Sequence, residues 1–163
     1  MRLLTNSRYG TRMLLDIAVH GRNGPVLMKD VAKRLGVSQK YLEKISRALK
    51  EAGLLAGQRG PGGGHQLGKP PEGITVGDVV RVMEGNELVG CGRDEDACTH
   101  ATGCLTRMIW KDCSNAMFAR LDAITFAELL SYADQGVKFG DYCKTVLATQ
   151  PLDEALLPEI NAS

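Results

Sequence analysis

Between Lys29 and Leu67 the hydrophobic pattern sets out two helices and a hairpin. Asp30-Val31-Ala32-Lys33-Arg34-Leu35 carries apolar residues at helical spacing, and Gly36 stands where a C-cap glycine belongs. Ser38 is placed to accept from the unpaired amides of a second helix, Gln39 to Ala52, with Leu42, Ile45, Leu49 and Ala52 on one face and Gly53 closing it. Two helices joined by a short glycine-containing turn form a helix-turn-helix. Leu54-Leu55-Ala56 and Gln66-Leu67 then read as two short strands around a glycine-rich tip, Gly57 to His65.

The same periodicity places a supporting helix at the N-terminus. Thr5, Asn6 and Ser7 are N-cap candidates, Tyr9, Met13, Leu14 and Ile17 form its stripe, and Gly21 ends it after His20. Val26-Leu27-Met28 is expected as a short strand joining the hairpin. Beyond the breaker Lys69-Pro70-Pro71-Glu72-Gly73, Thr75 and Asp78 make a capping box for a helix from Val76 to about Glu84, stopped by Gly85. A long helix from Leu105 to about Ile124 has an apolar seam of Leu105, Ile109, Ala116, Met117, Leu121 and Ile124, with Cys113 among them and Trp110 beside it. A helix of that length beside a small lobe predicts pairing with a second copy, with Cys113 buried as a small apolar residue. Thr125 caps a last helix, Phe126 to Ala133.

The fold expected is mainly α with a small β wing (α+β), a winged helix-turn-helix plus a long dimerisation helix. Its parts are residues 1–69 for DNA binding, 70–90 connecting, 91–104 as a cysteine loop, 105–133 as dimerisation and docking helices, and 134–163 as a tail.

Charge sharpens the functional reading. Formal net charge is only +1, but residues 1–69 hold 13 Lys and Arg against 4 Asp and Glu, a balance of +9, while residues 70–163 hold 7 against 15, a balance of −8. The basic half coincides with the helix-turn-helix, which marks a footprint for double-stranded DNA. Lys40, Glu43 and Lys44 are candidates for base reading, with Ser38 and Tyr41 at the same helix end; Arg47 and Lys50 suit phosphate or solvent. In the wing, Arg59 suits a minor groove, and Gly60, Gly62 and Gly63 let backbone approach DNA. A nucleotide P-loop fails, because no Lys-Ser or Lys-Thr follows Gly64. No run approaches the roughly 18 to 20 apolar residues of a membrane span, and Arg8, Arg12 and Asp16 break any signal-peptide pattern, so a cytoplasmic protein without membrane partners is expected.

Five cysteines are present, three of them within Cys91-Gly-Arg-Asp-Glu-Asp-Ala-Cys98-Thr-His100-Ala-Thr-Gly-Cys104. In a reducing compartment an odd count points to metal or redox chemistry, and thiolates suit iron–sulfur clusters and zinc alike. The spacing matches neither zinc ribbons nor ferredoxin runs.

Gly60-Pro61-Gly62-Gly63-Gly64, Val37-Ser38 with Tyr41-Leu42-Glu43, and Arg8-Tyr9-Gly10 resemble the IscR/NsrR family of winged-helix regulators, from Met1 to about Leu130. The resemblance implies an iron–sulfur cluster on Cys91, Cys98 and Cys104. The first cysteine gap is one residue longer than in that family. The family's fourth ligands do not carry over, since Arg107 stands at the histidine position and Arg8 at the aspartate position. His100 is the best replacement within the loop, ahead of Asp94, Glu95, Asp96 and Cys113, and [2Fe–2S] and [4Fe–4S] both stay open. Members that sense cysteine metabolism lack a cluster. The expected function is a homodimeric regulator on a pseudo-palindromic operator, modulated by redox state, oxygen, nitric oxide or iron status. The alternatives are a cluster-free thiol-switch or zinc-holding regulator and, last, a small electron-transfer protein, which no nucleotide fingerprint or second cluster motif supports.

Overall fold

The computed structural model describes residues 5–60, 62–86 and 104–136. Six α-helices and one hairpin are seen there: α1 (Thr5–His20), α2 (Met28–Leu35), α3 (Gln39–Glu51), β1 (Leu55–Gln58), β2 (Gly64–Leu67), α4 (Val76–Glu84), α5 (Leu105–Asp122) and α6 (Phe126–Asp134). Residues 1–130 form one compact unit and residues 131–163 a second, of which the end of α6 and the turn at Gly136 are described.

The core lies where α1, α2, α3 and α4 meet. Met13, Leu14 and Ile17 of α1 pack with Val31, Leu42, Leu49, Ile74, Val79 and Phe126, all with essentially no exposed surface. α2 begins two residues before the expected start, at Met28, because Leu27 takes extended dihedrals at its N-cap. The expected Val26–Met28 strand is therefore reduced to a single antiparallel bridge, Val26 to His65. Ala52, expected on the buried face of α3, is exposed as the residue that caps it.

Local signals are met closely elsewhere. Gly36 takes φ +66°, turning the chain between α2 and α3. The Ser38 hydroxyl accepts from the Tyr41 amide at 3.2 Å. Thr75 and Asp78 form the reciprocal capping box, with bonds of 2.9 and 3.0 Å. Asn6 and Ser7 lie inside α1 and do not cap it; Ser7 is buried and donates to Glu84 at the end of α4.

α5 meets α4 where Arg81 lies over the Phe118 ring and pairs with Asp122; Ser114 and Phe118 are buried, and Met117, Leu121 and Ile124 of the expected seam are half-buried. Ile109, Cys113 and Ala116 face solvent in the single chain, as do Met108 and Trp110. Phe126 donates to the Ile74 carbonyl at 2.9 Å and Val76 to that of Ile124, so α6 is seated at the entrance to α4.

Candidate nucleic-acid interface and cysteine stem

α3 presents one polar face because Leu42, Ile45 and Leu49 turn the opposite face into the core. Gln39, Lys40, Glu43, Lys44, Arg47 and Lys50 are all exposed on it. Among the described residues none of its basic side chains is held in a salt bridge. Glu43 is engaged, since the Gln39 amide donates to it at 2.7 Å. Tyr41 is half-buried, its phenol donating to Asn6 at 3.0 Å and its ring meeting Tyr9 edge-on at 5.6 Å. Burial, then the neighbouring Tyr9, pushes its phenol above the ordinary range, so it stays a neutral donor. Ser38 serves first as the cap of α3, and its exposure leaves it accessible as well.

The wing projects beside this face. β1 and β2 pair antiparallel from Leu55↔Leu67 to Gln58↔Gly64. At its tip Arg59 is exposed, and Gly60 and Gly62 hold φ of +100° and +81°, which side chains rarely adopt. Gly63, also in the tip, is half-buried and donates to the Gly60 carbonyl at 2.9 Å. The structure thus brings the expected set on α3 and the expected set on the wing to neighbouring elements.

Between α3 and β2 lies a groove of about 500 Å³, lined among others by Gln39, Glu43, Arg47, Lys50 and His65. His65 was not among the expected contacts. Its Nδ1 is buried without a hydrogen-bond partner among the described residues. Burial, then the Lys50 ammonium, holds its pKa below the ordinary value, against the opposing Val26 backbone and Glu43. The sequence signal that could have found it is a histidine directly after the glycine run, at a position pairing with Gly57.

Of the cysteine set, Cys104 is described; Cys91, Cys98 and His100 lie outside the described residues, as does Cys143. Cys104 is the half-buried N-cap of α5, with the Thr106 hydroxyl 3.1 Å from its sulfur. That hydroxyl, followed by the Arg107 amide, draws the thiol pKa below the ordinary range. A site that favours thiolate fits a metal-ligand cysteine. Arg107, at the position of the absent histidine, supplies a backbone donor to the sulfur.

A helix-turn-helix with a glycine-tipped wing and a basic reading face defines a winged-helix DNA-binding protein. Residues 3–132 match the family model Rrf2, described as an iron-dependent transcriptional regulator. The chain belongs to the Rrf2 family of transcriptional regulators; it is not an enzyme. It is 48% identical over 131 residues to protein rrf2 of Nitratidesulfovibrio vulgaris, covering 80% of this chain and 87% of that one. Among solved structures it is similar to T. potens IscR, with a TM-score of 0.69, 32% identity and coverage of 88% and 96%. It is also similar to CymR (YrzC), the global cysteine regulator of B. subtilis, with a TM-score of 0.65, 32% identity and coverage of 81% and 98%. Among the described residues no helix is long and apolar enough to cross a membrane.

Proposed function

We propose that the chain acts as a homodimer on a pseudo-palindromic operator, with binding modulated by an iron–sulfur cluster on Cys91, Cys98, Cys104 and His100. The observation that carries the cluster reading is the Cys104 site, where a hydroxyl and backbone amides favour the thiolate at the head of α5. When bound, a cluster supplies a redox-active centre whose potential depends on hydrogen bonds to its sulfurs.

The chain's own residues supply the coupling. The segment containing Cys91 and Cys98 follows α4, whose last residue, Glu84, is held by Ser7 of α1. One residue earlier on α1, Asn6 holds Tyr41 in the first turn of α3. The other stem is Cys104 at the head of α5, a helix whose far end is fixed to α4 by Arg81 and Asp122, with two bonds of 2.6 Å. A change of state in the segment between these stems would therefore bear on α1 and the reading helix, and also on the angle of α5. Such coupling requires that the two loop states differ in DNA affinity. Two reading heads about 34 Å apart, one helical turn of DNA, would then be brought into or out of register.

A second reading, a thiol-switch or zinc-holding regulator, is favoured by the same lowered Cys104 pKa, since thiolate is also the reactive form. Purification without oxygen, followed by the visible spectrum and iron and sulfide analysis, separates the two. A brown protein with equal iron and sulfide, bleached in Cys98→Ala, is expected. A colourless protein that also resists reconstitution would shift the reading to thiol or zinc chemistry.

A further inference from the structure

We propose that the groove between α3 and β2 is a phosphodiester site, in which His65 joins Arg47 and Lys50 in holding one DNA strand. The inference rests on the winged-helix docking described above. With α3 in a major groove and Arg59 in the adjacent minor groove, the sugar-phosphate strand dividing those grooves must cross between helix and wing. This is where the groove of about 500 Å³ lies.

Its lining suits that ligand. Arg47 and Lys50 are exposed and form no salt bridge among the described residues. The Lys50 side chain reaches across to Gly57 on β1, the residue paired with His65. The His65 ring lines the groove, and its buried Nδ1, without a hydrogen-bond partner among the described residues, carries a desolvation cost that a turn of the ring toward a phosphate oxygen removes. Of the acidic groups facing the groove, Glu43 is bonded to Gln39, and Glu51 lies at the far end of α3. β1 contributes no titratable group opposite His65, and α2 contributes Met28.

A phosphate set there reverses the field on His65. In the free chain burial and Lys50 favour neutral imidazole; a bound anion favours imidazolium, in which both ring nitrogens donate. DNA binding then takes up a proton. A rise of one unit in the His65 pKa makes binding about tenfold tighter below both pKa values than above them.

Phosphate contacts are independent of sequence, so the test needs no operator. The full chain, purified without oxygen, is titrated onto a labelled duplex of about 25 base pairs of unrelated sequence over a salt series. Wild type, His65→Gln, Lys50→Gln and Arg59→Ala are compared at pH about 6 and about 8, either side of an ordinary histidine. Wild type is expected to bind tighter at the lower pH, by a factor that approaches about tenfold as pH falls below both pKa values, and His65→Gln to lose that difference. Lys50→Gln, a surface change that spares folding, should reduce the salt slope by about 0.9 at both pH values. A His65→Gln protein with the full pH effect, or a Lys50→Gln protein with the wild-type slope, overturns the site. Arg59→Ala weakened at both pH values leaves the docking reading standing in that case, whereas wild type that fails to bind the duplex overturns docking and site together.

Discussion

Asp16 is a buried carboxylate in the middle of an apolar helix, and Arg34 makes that tolerable by gripping both oxygens at 2.7 to 3.1 Å. Arg34→Ala leaves the carboxylate, among the described residues, with only His20 as a charged partner, 3.5 Å away at the exposed end of α1. A loss of about 2 kcal/mol is expected from the charged hydrogen bonds removed, measured by urea unfolding; an unchanged midpoint would mean that water replaces the guanidinium. Glu43 is a different case, since its partner Gln39 is itself on the reading face. Glu43→Ala should relax preference at one operator position by about 1–3 kcal/mol while sparing general affinity. Binding to a panel of single-base operator variants checks this, and an equal loss on every sequence would make Glu43 structural. The sequence exposed Glu43 by its place on an outward helical face. It did not expose the role of Asp16, because Arg34 lies 18 residues away and the pairing depends on how α1 crosses α2. His65 was hidden for the same reason, its surroundings being assembled from α3 and two strands.

α4 and α5 meet at a contact whose parts are small and specific. Gly77 leaves room for the Asp122 carboxylate, which a Cβ at that position would strike. Arg81 binds that carboxylate and lies over the Phe118 ring at 4.4 Å. Alanine in place of a helical glycine ordinarily gains up to about 0.5–1 kcal/mol, and Gly77 lies in the first turn of α4. Gly77→Ala is nevertheless expected to destabilise, by about 1–3 kcal/mol from overpacking, and a rise in thermal midpoint would show that α5 can shift without cost. The ion pair also gives a pH signature. Arg81 holds the Asp122 pKa below its ordinary 3.8. The stabilisation it brings is therefore complete above 3.8 and fades as pH falls through the lower folded value. Wild type and Asp122→Asn should differ in stability near neutrality and converge in acid; a constant gap would assign the difference to packing. Turn and capping elements were legible because their causes are local, as with Ser38, Gly36 and the Thr75–Asp78 box. The buried face of α5 was not. Ile109, Cys113 and Ala116 of its heptad-like seam are left open in a single chain, while Phe118 is buried under Arg81 of α4.

That open face carries the argument at the scale of the whole molecule. Ile109 and Trp110, 57% and 46% exposed, lie four and three residues before Cys113 and so share a stripe of α5 with it, and Met108, 69% exposed, borders that stripe. Large apolar side chains so grouped mark a surface to be covered. In the proposed dimer a second α5 covers it, and the two basic reading heads face one duplex. Ile109→Glu places a charge in that seam and leaves the Arg81 contacts to Phe118 and Asp122 untouched. Sedimentation equilibrium should show the wild type as a dimer and the variant as a monomer with an unchanged circular dichroism spectrum. Linking two reading heads raises affinity by about 10²–10⁴ when both half-sites engage. The monomeric variant should therefore lose at least about 10²-fold on a two-half-site operator and little on a single half-site. Equal losses on both DNAs would place the damage in the reading head, and a variant that stays dimeric would move the seam off this face of α5.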